Sequence, residues 1–458
     1  MQNNTDNFQP LKETRNLYFF IRIVEYLEVG FFWFLISIVS LILNSDTLQT
    51  QYNIRNFIFS ITLVMFSNAF WEVITGWYAD KFKRKYSIVA GFISCICGWI
   101  IIGLSILLNN HLLWTVGLIV WSLYPALVSG ARDAWFVDRC NYYLQSFDLR
   151  DFQEKTFKIS NIVGLIVAPF SALICWSIFE MWGLSINVSQ IIPGALSCIL
   201  IIISFCCIAV YRVTRKVQEE YHEHISYKIN DSMVSFIKEG VKYSTTKPYK
   251  WFVLAHIGGV GFLYMWSFTC WPFILQLQEP GFFIFNKFYI FIFILISILG
   301  GINGLLLSAM GRYISKRKLL LILSSWYMLP LTFIAPICRY YGFSLFDANG
   351  EFKAALFFFA AFMFRSTYAA FYGILISEGN NLIVSKNKKK RALLSSLASA
   401  YTAAVFGIMG AVLLYFIELK TLLNTIGFMW TYFGCFFFLI SVYGTYSIFK
   451  GQSNVSTT

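Results

Sequence analysis

Long apolar runs recur along almost the whole chain, and they limit its possible folds more than any other feature. Short polar loops separate them, apart from one longer polar stretch over residues 212–250. A helix rises about 1.5 Å per residue, so about 20 apolar residues cross the ~30 Å hydrocarbon layer of a membrane. The runs therefore predict twelve transmembrane helices, over residues 17–43, 54–78, 86–108, 112–138, 156–180, 187–211, 251–277, 283–309, 318–339, 353–379, 391–417 and 421–448.

The composition excludes a water-soluble fold. Hydrophobic residues make up 58% of the 458 residues and charged residues only 13%, whereas a soluble domain carries about 25% charged residues. A single core stops growing at about 250–300 residues, so a soluble chain of this length could not hide so much apolar surface. In lipid every backbone amide needs a partner within the protein, which leaves helices or closed barrels. Because the runs lack strict alternation, the predicted class is an all-α integral membrane protein.

Loop lengths and charges predict how the helices are organised. The chain divides into an N-terminal six-helix half over residues 1–211, a linker over 212–250 and a C-terminal six-helix half over 251–458. With the N-terminus inside, the outer loops hold few of the 36 Lys and Arg residues, namely Arg55, Lys287, Arg339, Lys353 and Lys420. This positive-inside pattern predicts that both termini and the linker are cytoplasmic. It also explains the net charge of +13 without a nucleic-acid partner.

The loop between the second and third runs carries the clearest motif. It reads Gly76, Trp77, Tyr78, Ala79, Asp80, Lys81, Phe82, Lys83, Arg84 and Lys85. This loop resembles the hallmark of the major facilitator superfamily, G-x-x-x-D-R/K-x-G-R-R/K, with Lys83 at the second glycine. A glycine lets two helices approach, and an aspartate at a helix end can cap a neighbouring helix. The resemblance implies a conformational latch built from Gly76, Asp80, Lys81, Arg84 and Lys85, with Glu72 one turn earlier.

Other segments of the first half share this resemblance. In the fifth run, Gly164, Ala168 and Pro169 resemble the antiporter motif of the superfamily, G-x-x-x-G-P-x-x-G, with alanine at two glycine places. That motif is associated with exporters, although small residues around a proline also occur wherever a helix bends and packs tightly. Segments 70–76 and 129–138 resemble a bacterial branch of the superfamily that contains many exporters of drugs and other small molecules.

The two predicted halves also repeat each other weakly. Asp138 at the end of the fourth run and Glu378 at the end of the tenth are each followed three residues later by asparagine. The loop over 311–318 repeats the basic character of the latch loop, with Ser315 in place of the aspartate. Such repetition is expected of a fold made from two similar halves. An alternative interpretation is that Asp138 and Glu378 only mark the inner membrane surface.

Ionisable residues inside the apolar runs form the candidate functional site. A charge at the bilayer centre costs at least ~2.5–3.5 kcal/mol, so each one calls for a functional explanation. The candidates are Arg22, Glu25, Glu28, Glu72, Arg132, Asp133, Asp138, Arg365 and Glu378. Those expected close to the cytoplasmic surface are Arg132, Asp133 and Glu72. In the superfamily that the chain resembles, the first, fourth, seventh and tenth helices line a central cavity, which implies that all candidates except Glu72 lie on cavity helices.

The acids of the first run are the leading candidates for coupling. Glu25 and Glu28 are three residues apart and share one helix face. We predict that one of them pairs with Arg365 across the cavity, because a carboxyl in such a half-dry place is suited to taking up and releasing a proton. Two alternatives remain open: Arg22 pairs with Glu25 within the helix, or the charges form a fixed ion-pair network without transport chemistry.

No cofactor or metal site is predicted. The ten cysteines lie mostly within apolar runs and form no CxxC pattern, so we interpret them as small buried hydrophobic residues. The sequence also lacks a GxxxxGK(S/T) loop, which favours an ion gradient over ATP as the energy source.

The predicted function is proton-coupled export of hydrophobic or cationic small molecules by alternating access. We expect a monomer in the lipid of the bacterial inner membrane, without enzymatic activity. The alternatives are an uptake permease, a lipid or peptide translocator of the same fold, and a non-transporting membrane receptor or enzyme subunit.

Overall fold

The computed structural model describes most of the N-terminal part of the chain and selected stretches of the C-terminal part. The described residues are 8–42, 53–143, 148–181, 188–217, 232–246, 249–276, 316–326, 391–416 and 428–453, with further helical positions between 295 and 307 and between 359 and 375. Within these residues all regular structure is helical. The predicted all-α fold class is thus confirmed for the described part of the chain.

Six long helices form what we call the N-terminal group. They are α1 (Phe8–Ile42), α2 (Asn53–Lys81), α3 (Arg84–Leu107), α4 (His111–Tyr143), α5 (Asp148–Met181) and α6 (Val188–Lys216). Two of them start more than two turns before their apolar runs, α1 by nine residues and α5 by eight. Hydropathy marks only the part of a helix that crosses lipid, whereas the added turns bury Leu11 and half-bury Phe152 against protein. Interior prolines are accommodated at Pro125, Pro169 and Pro193.

Four further helices form the C-terminal group, preceded by a helix of the linker. The linker helix is α7 (Met233–Ser244), and the group consists of α8 (Tyr249–Gln276), α9 (Lys316–Trp326), α10 (Arg391–Phe416) and α11 (Gly434–Ser453), with a π-helical turn over Met429–Phe433. Much of the predicted runs 283–309, 318–339 and 353–379 lies outside the described residues.

Helices long and apolar enough to cross a membrane occur in both groups. Six such spans are found in the described part of the chain, at Asn56–Lys81, Arg84–Leu107, His111–Cys140, Ile192–Lys216, Ser396–Leu414 and Thr431–Ile448. Each coincides with one of the twelve predicted runs. For the runs that lie outside the described residues, the count of twelve remains a prediction from the sequence.

Glycines set the closest approaches between helices. A Cβ placed on Gly98 of α3 would lie 2.8 Å from the Cα of Trp121 in α4, and one placed on Gly30 of α1 would lie 2.2 Å from the carbonyl oxygen of Ala168 in α5. In a membrane no hydrophobic force drives helices together, so close backbone contact at small residues supplies the van der Waals attraction instead. This packing gives the N-terminal group a dense interior.

The two groups meet along α2 and α10, and we call this interface the seam. It is defined by Thr62, Phe66 and Gly76 of α2 and by Leu393, Ser396, Gly407 and Gly410 of α10. A Cβ placed on Gly410 would lie 2.3 Å from Thr62 Oγ1, and one placed on Gly76 would lie 2.9 Å from the Cα of Leu393. The helices are therefore in tight contact over several turns.

The linker helix packs against one end of the seam, where α2 ends and α10 begins; we call this the linker end. A Cβ on Gly240 of α7 would lie 2.6 Å from Leu393 Cδ2. The hydroxyls of Ser244 and Tyr401 are 2.9 Å apart and share a hydrogen bond. The linker thus contains a helix that contacts the first turns of α10.

Candidate functional site

A network of buried charges lies where α1, α4 and α5 meet. Arg132 of α4 occupies its centre, where it forms an ion pair with Glu25 of α1 and donates from Nε to Asp133 Oδ1 at 2.7 Å. The hydroxyl of Tyr18 donates to the same oxygen of Asp133 at 3.1 Å. Only 2% of Arg132 and 9% of Glu25 are exposed. The arginine therefore compensates two carboxylates that are largely removed from solvent.

Arg22 completes this charge network. Its Nη1 lies 3.4 Å from Glu25 Oε2, its Nε donates to Ser160 Oγ of α5 at 2.9 Å, and its Nη2 donates to the hydroxyl of Tyr26. Arg22 lies four residues after Tyr18, three before Glu25 and four before Tyr26, which places all three on the side of α1 that Arg22 occupies. With two arginines and two carboxylates, the formal charges of the network cancel.

Such a network allows its ion pairs to exchange. Buried charges depend on their partners, because removing one partner leaves the other uncompensated in a medium that solvates it poorly. Arg132 is shared by Glu25 and Asp133, so a proton bound by one carboxylate releases the arginine to the other. This is the chemistry that a site coupling protons to a second ligand requires.

The network faces aromatic side chains of the C-terminal part. Tyr372 lies near enough to Arg22 and Asp133 to interact with them electrostatically. The ring of Tyr372 stacks on Tyr368, with centroids 5.6 Å apart, and lies 6.3 Å from the imidazole of His256 in α8. The network therefore lies between the two groups. The predicted partner Arg365 and the acid Glu378 lie outside the described residues.

Glu28 has a different environment from Glu25. Its Oε1 accepts hydrogen bonds from the indole nitrogens of Trp99 in α3, at 3.0 Å, and of Trp121 in α4. The ring of Phe32 stacks on Trp121, and only 1% of Glu28 is exposed. Both acids contact α4, as their shared helix face predicts, but Glu28 lies in the interior of the N-terminal group.

The latch aspartate links the two groups. Oδ2 of Asp80, at the end of α2, accepts a hydrogen bond from the backbone nitrogen of Leu393 at 2.9 Å. Leu393 lies in the first turn of α10, where backbone N–H groups have no partner within the helix. A carboxylate is stabilised there both by the hydrogen bond and by the helix dipole. Asp80 therefore caps a helix of the other group.

The basic residues of the latch loop contact the N-terminal group. Arg84, the first residue of α3, forms an ion pair with Asp138 of α4, and its Nη2 lies 3.8 Å from Asp80 Oδ1. The Nζ of Lys81 lies 4.7 Å from the ring centroid of Trp77. Lys85 follows Arg84 in the first turn of α3 and is half-buried. Arg84 thus connects Asp80, predicted as a latch residue, to Asp138, predicted separately as an inner-end acid.

Glu72 lies in the seam, two turns before Asp80. Its side chain is 2% exposed, and its Oε1 accepts a hydrogen bond from Ser129 Oγ of α4 at 3.3 Å. Arg132 is also buried, whereas Asp133 is half-buried. Glu72, which the sequence places close to the cytoplasmic surface, is thus fully buried within the protein.

The antiporter-like motif packs α5 against α1. A Cβ placed on Gly164 would lie 2.1 Å from the ring of Tyr26, and Ala168 faces Gly30 as described above. Pro169 is buried within the same helix. Because Tyr26 hydrogen-bonds Arg22, the small residues of this motif allow α5 to approach the charge network.

Several residues of the site were missed in the sequence. Tyr18 and Tyr26 lie four residues before and after Arg22, a spacing that marks one helix face and could have identified them. Ser160 and Trp99 carry no local signal, because each acquires its partner only when α5 or α3 packs against α1. The backbone nitrogen of Leu393 could not be identified as the partner of Asp80 before the helices were placed.

Comparison with known proteins gives similarity of structure but not of sequence. No protein-family model and no curated protein sequence matches the chain. The xylose transporter XylE from E. coli, in a partially occluded inward-open conformation, is 9% identical, with a TM-score of 0.63 over 95% of this chain and 97% of that chain. A bacterial homologue of the iron transporter ferroportin, outward-facing, is 12% identical, with a TM-score of 0.60 over 97% and 99%. The fucose:proton symporter FucP from E. coli is 13% identical, with a TM-score of 0.57 over 96% and 99%.

The chain therefore has the major facilitator fold and is a multi-pass membrane protein. The loop around Asp80 predicted this fold, and the structural similarity confirms it over nearly the whole length. At identities this low the similarity establishes the fold alone.

Proposed function

We propose that the protein is a secondary transporter that moves a small molecule across the membrane by alternating access. The single observation that carries this proposal is the charge network of Arg22, Glu25, Arg132 and Asp133, buried between the two groups in a fold shared with solved transporters. Rocking of two groups about a midplane site is the mechanism that such folds support. The Asp80–Leu393 hydrogen bond holds the linker end closed in the conformation described here.

The charge network favours a proton gradient as the energy source. Glu25 shares Arg132 with Asp133, so protonation of Glu25 frees the arginine and redistributes charge at the interface between the groups. FucP, a protein with this fold, is a fucose:proton symporter. In this proposal Glu28, whose partners all belong to the N-terminal group, holds α1 against α3 and α4 rather than carrying the transported proton.

Export of a hydrophobic or cationic molecule is the direction that we propose, on the antiporter-like residues Gly164, Ala168 and Pro169. Uptake by symport is the second candidate, favoured by the structural similarity to the fucose:proton symporter. The positive-inside pattern supports a bacterial plasma membrane, with both termini and α7 in the cytoplasm. We propose that the transporter acts as a monomer.

A substrate-panel screen tests this function. Cells with and without the protein are exposed to hydrophobic cations, sugars and nucleosides, and accumulation of each is measured with and without a protonophore. Protonophore-sensitive lowering of accumulation indicates export, and protonophore-sensitive raising indicates uptake. The purified protein is then reconstituted into vesicles. If none of the compounds crosses these vesicles faster than it crosses empty ones, the transport proposal is wrong for these classes.

The two acids of α1 should respond differently to the same substitution. Glu25→Gln removes the charge that pairs with Arg132 and should abolish the protonophore-sensitive transport found in the screen. Glu28→Gln keeps an oxygen that accepts from Trp99 and Trp121, so it should retain transport and lower thermal stability instead. Flux and melting temperature of both variants are measured in parallel. Equal loss of flux in the two would contradict the assignment of coupling to Glu25.

Removing the latch hydrogen bond should open the linker end. Asp80→Ala leaves the backbone nitrogen of Leu393 without its cap, and caps are worth about 0.5–2 kcal/mol, so the open-to-closed ratio should rise up to about 30-fold. Pulsed electron spin resonance measures this ratio between labels at Tyr86→Cys of the N-terminal group and Lys318→Cys of the C-terminal group, both exposed, in a chain whose ten cysteines are replaced. Asp80→Asn, which keeps an acceptor oxygen, is the matched control and should shift the ratio less.

A further inference from the structure

Glu72 is a buried acid in the seam that the proposed transport chemistry does not use. Its Oε1 accepts from Ser129 Oγ of α4 at 3.3 Å, while its Oε2 is buried without a hydrogen-bond partner among the described residues. The side chain is 2% exposed. The carboxyl thus lies close to Ser396 of α10, without a hydrogen bond of good geometry from the described residues to its Oε2 in this conformation.

The groups around Glu72 in the described part of the chain are polar but carry no positive charge. Ser396 of α10 lies beside the carboxyl, and Tyr264 of α8 is close enough to interact electrostatically. Among the described residues, Ser129, Ser396 and Tyr264 are the groups found to interact with it from the packed helices, and Tyr264 is the titratable one of the three. None of the described Lys, Arg or His side chains forms an ion pair with Glu72. This environment differs sharply from that of Glu25.

Such surroundings favour a neutral carboxyl while the seam is closed. An ionised carboxylate removed from water and without a cation is strongly destabilised, and hydroxyl groups replace only part of its hydration. A protonated carboxyl in addition donates one hydrogen bond. An acceptor is at hand, because Ser396 Oγ lies beside the carboxyl and is buried with no hydrogen-bond partner in the described part of the chain.

We propose that Glu72 is a proton-binding site within the seam, and that its protonation holds α2 against α10 at the linker end. When the seam opens, water reaches the carboxyl, which releases its proton and becomes a carboxylate; closing the seam requires the proton to return. The ligand is the proton itself, bound apart from the charge network. This inference rests on the proposed alternating access, since it needs a state in which the seam separates.

The direction of the pH dependence follows from the protonation of Glu72, which differs between the closed and the open seam. The closed seam binds one proton more than the open seam, so acid favours closing and base favours opening. For one linked proton, the ratio of open to closed states changes by up to about tenfold per pH unit between the two titration midpoints. A phenol such as Tyr264 remains uncharged across the pH range of the test, about 5.5–8.5, because its ordinary pKa is about 10.

Spin-label distances at the linker end test the proposal without a known substrate. The Tyr86→Cys and Lys318→Cys pair is introduced into full-length protein in lipid nanodiscs, and the open-to-closed ratio is measured from pH 5.5 to 8.5. The unaltered seam should open as the pH rises. Glu72→Gln imitates the protonated acid and should keep the seam closed across the range. Glu28→Gln, which neutralises a buried acid away from the seam, should keep the original pH response.

Asp80→Ala separates failure of this inference from failure of the proposed function. If Asp80→Ala opens the linker end while Glu72→Gln follows the same pH curve as the parent, Glu72 is not the proton site and alternating access stands. If neither pH nor either substitution changes the distances, the seam does not separate, and the proposed function and this inference are both wrong. Should Glu72→Gln fail to fold, Ser396→Ala, which removes the neighbouring hydroxyl but keeps the acid, must shift the midpoint of the pH response; an unshifted midpoint overturns the proposal.

Discussion

Replacing Arg132 with methionine should destabilise the protein more than any other single substitution in the charge network. Arg132 pairs with both Glu25 and Asp133 and is 2% exposed. Breaking a buried ion pair by removing one partner costs about 3–5 kcal/mol, because the remaining charge stays buried without compensation. Here two carboxylates lose their shared partner, and among the described residues Arg22, 3.4 Å from Glu25, is the cation that remains to offset them. The measurement is thermal unfolding of purified protein in detergent.

A double substitution distinguishes this cause from a simple loss of packing. Methionine fills much of the volume of arginine, so the combination Glu25→Gln with Arg132→Met should recover part of the lost stability, because it also removes one uncompensated charge. Arg212→Met is the matched control, since Arg212 is exposed at the end of α6 and lies over the ring of Phe20, 4.3 Å from its centroid. It should change stability by less than about 1 kcal/mol. A double variant less stable than Arg132→Met would contradict the charge argument.

Adding a single methyl group at Gly76 should push the seam apart at the linker end. A Cβ there would lie 2.9 Å from the Cα of Leu393 and 3.1 Å from the Cβ of Ser396, so α2 must move away from the backbone of α10. Overpacking of this kind costs about 1–3 kcal/mol, which corresponds to a change of about 5–150-fold in the open-to-closed ratio. The Tyr86–Lys318 label pair measures this ratio, and loss of the Asp80 cap should accompany the opening.

Gly103→Ala controls for the intrinsic effect of alanine in a helix. Both substitutions add the same methyl group and raise helix propensity by about 1 kcal/mol. At Gly103 of α3, however, the nearest atom to a new Cβ is Leu196 Cδ2, at 3.5 Å, which is an ordinary contact within the N-terminal group. Gly103→Ala should therefore leave the distances at the linker end unchanged. Equal distance distributions in Gly76→Ala and the parent would show that the seam is not as tight as described.

The latch motif shows which contacts of the site could be predicted from the sequence. The loop pattern predicted that an aspartate at the end of the second helix caps a neighbouring helix, and the structure has Asp80 bonded to the first turn of α10. Which helix is capped could not be predicted, because the two residues are separated by 313 positions. Arg84 and Asp138 were identified separately, and only the close approach of α3 and α4 pairs them.

The buried acids illustrate the opposite case. Their positions in the apolar runs identified them as candidates, but the sequence grouped Glu25 with Glu28 and placed Glu72 near the surface. The structure gives them three different surroundings: arginines around Glu25, indole nitrogens around Glu28, and hydroxyl groups around Glu72. Whether Glu25 also meets Arg365 stays a prediction, since Arg365 lies outside the described residues.

The sequence by itself determined that the chain is a helical membrane protein, which segments are apolar enough to cross the membrane, and which of their residues carry charge. These properties depend on the transfer of each segment from water to lipid, a free energy that is summed over neighbouring residues and needs no knowledge of the other helices. Only the tertiary structure decided which charges meet. Glu25 and Arg132 are 107 positions apart, and their pairing depends on the rotation and spacing of helices that many small close contacts set together.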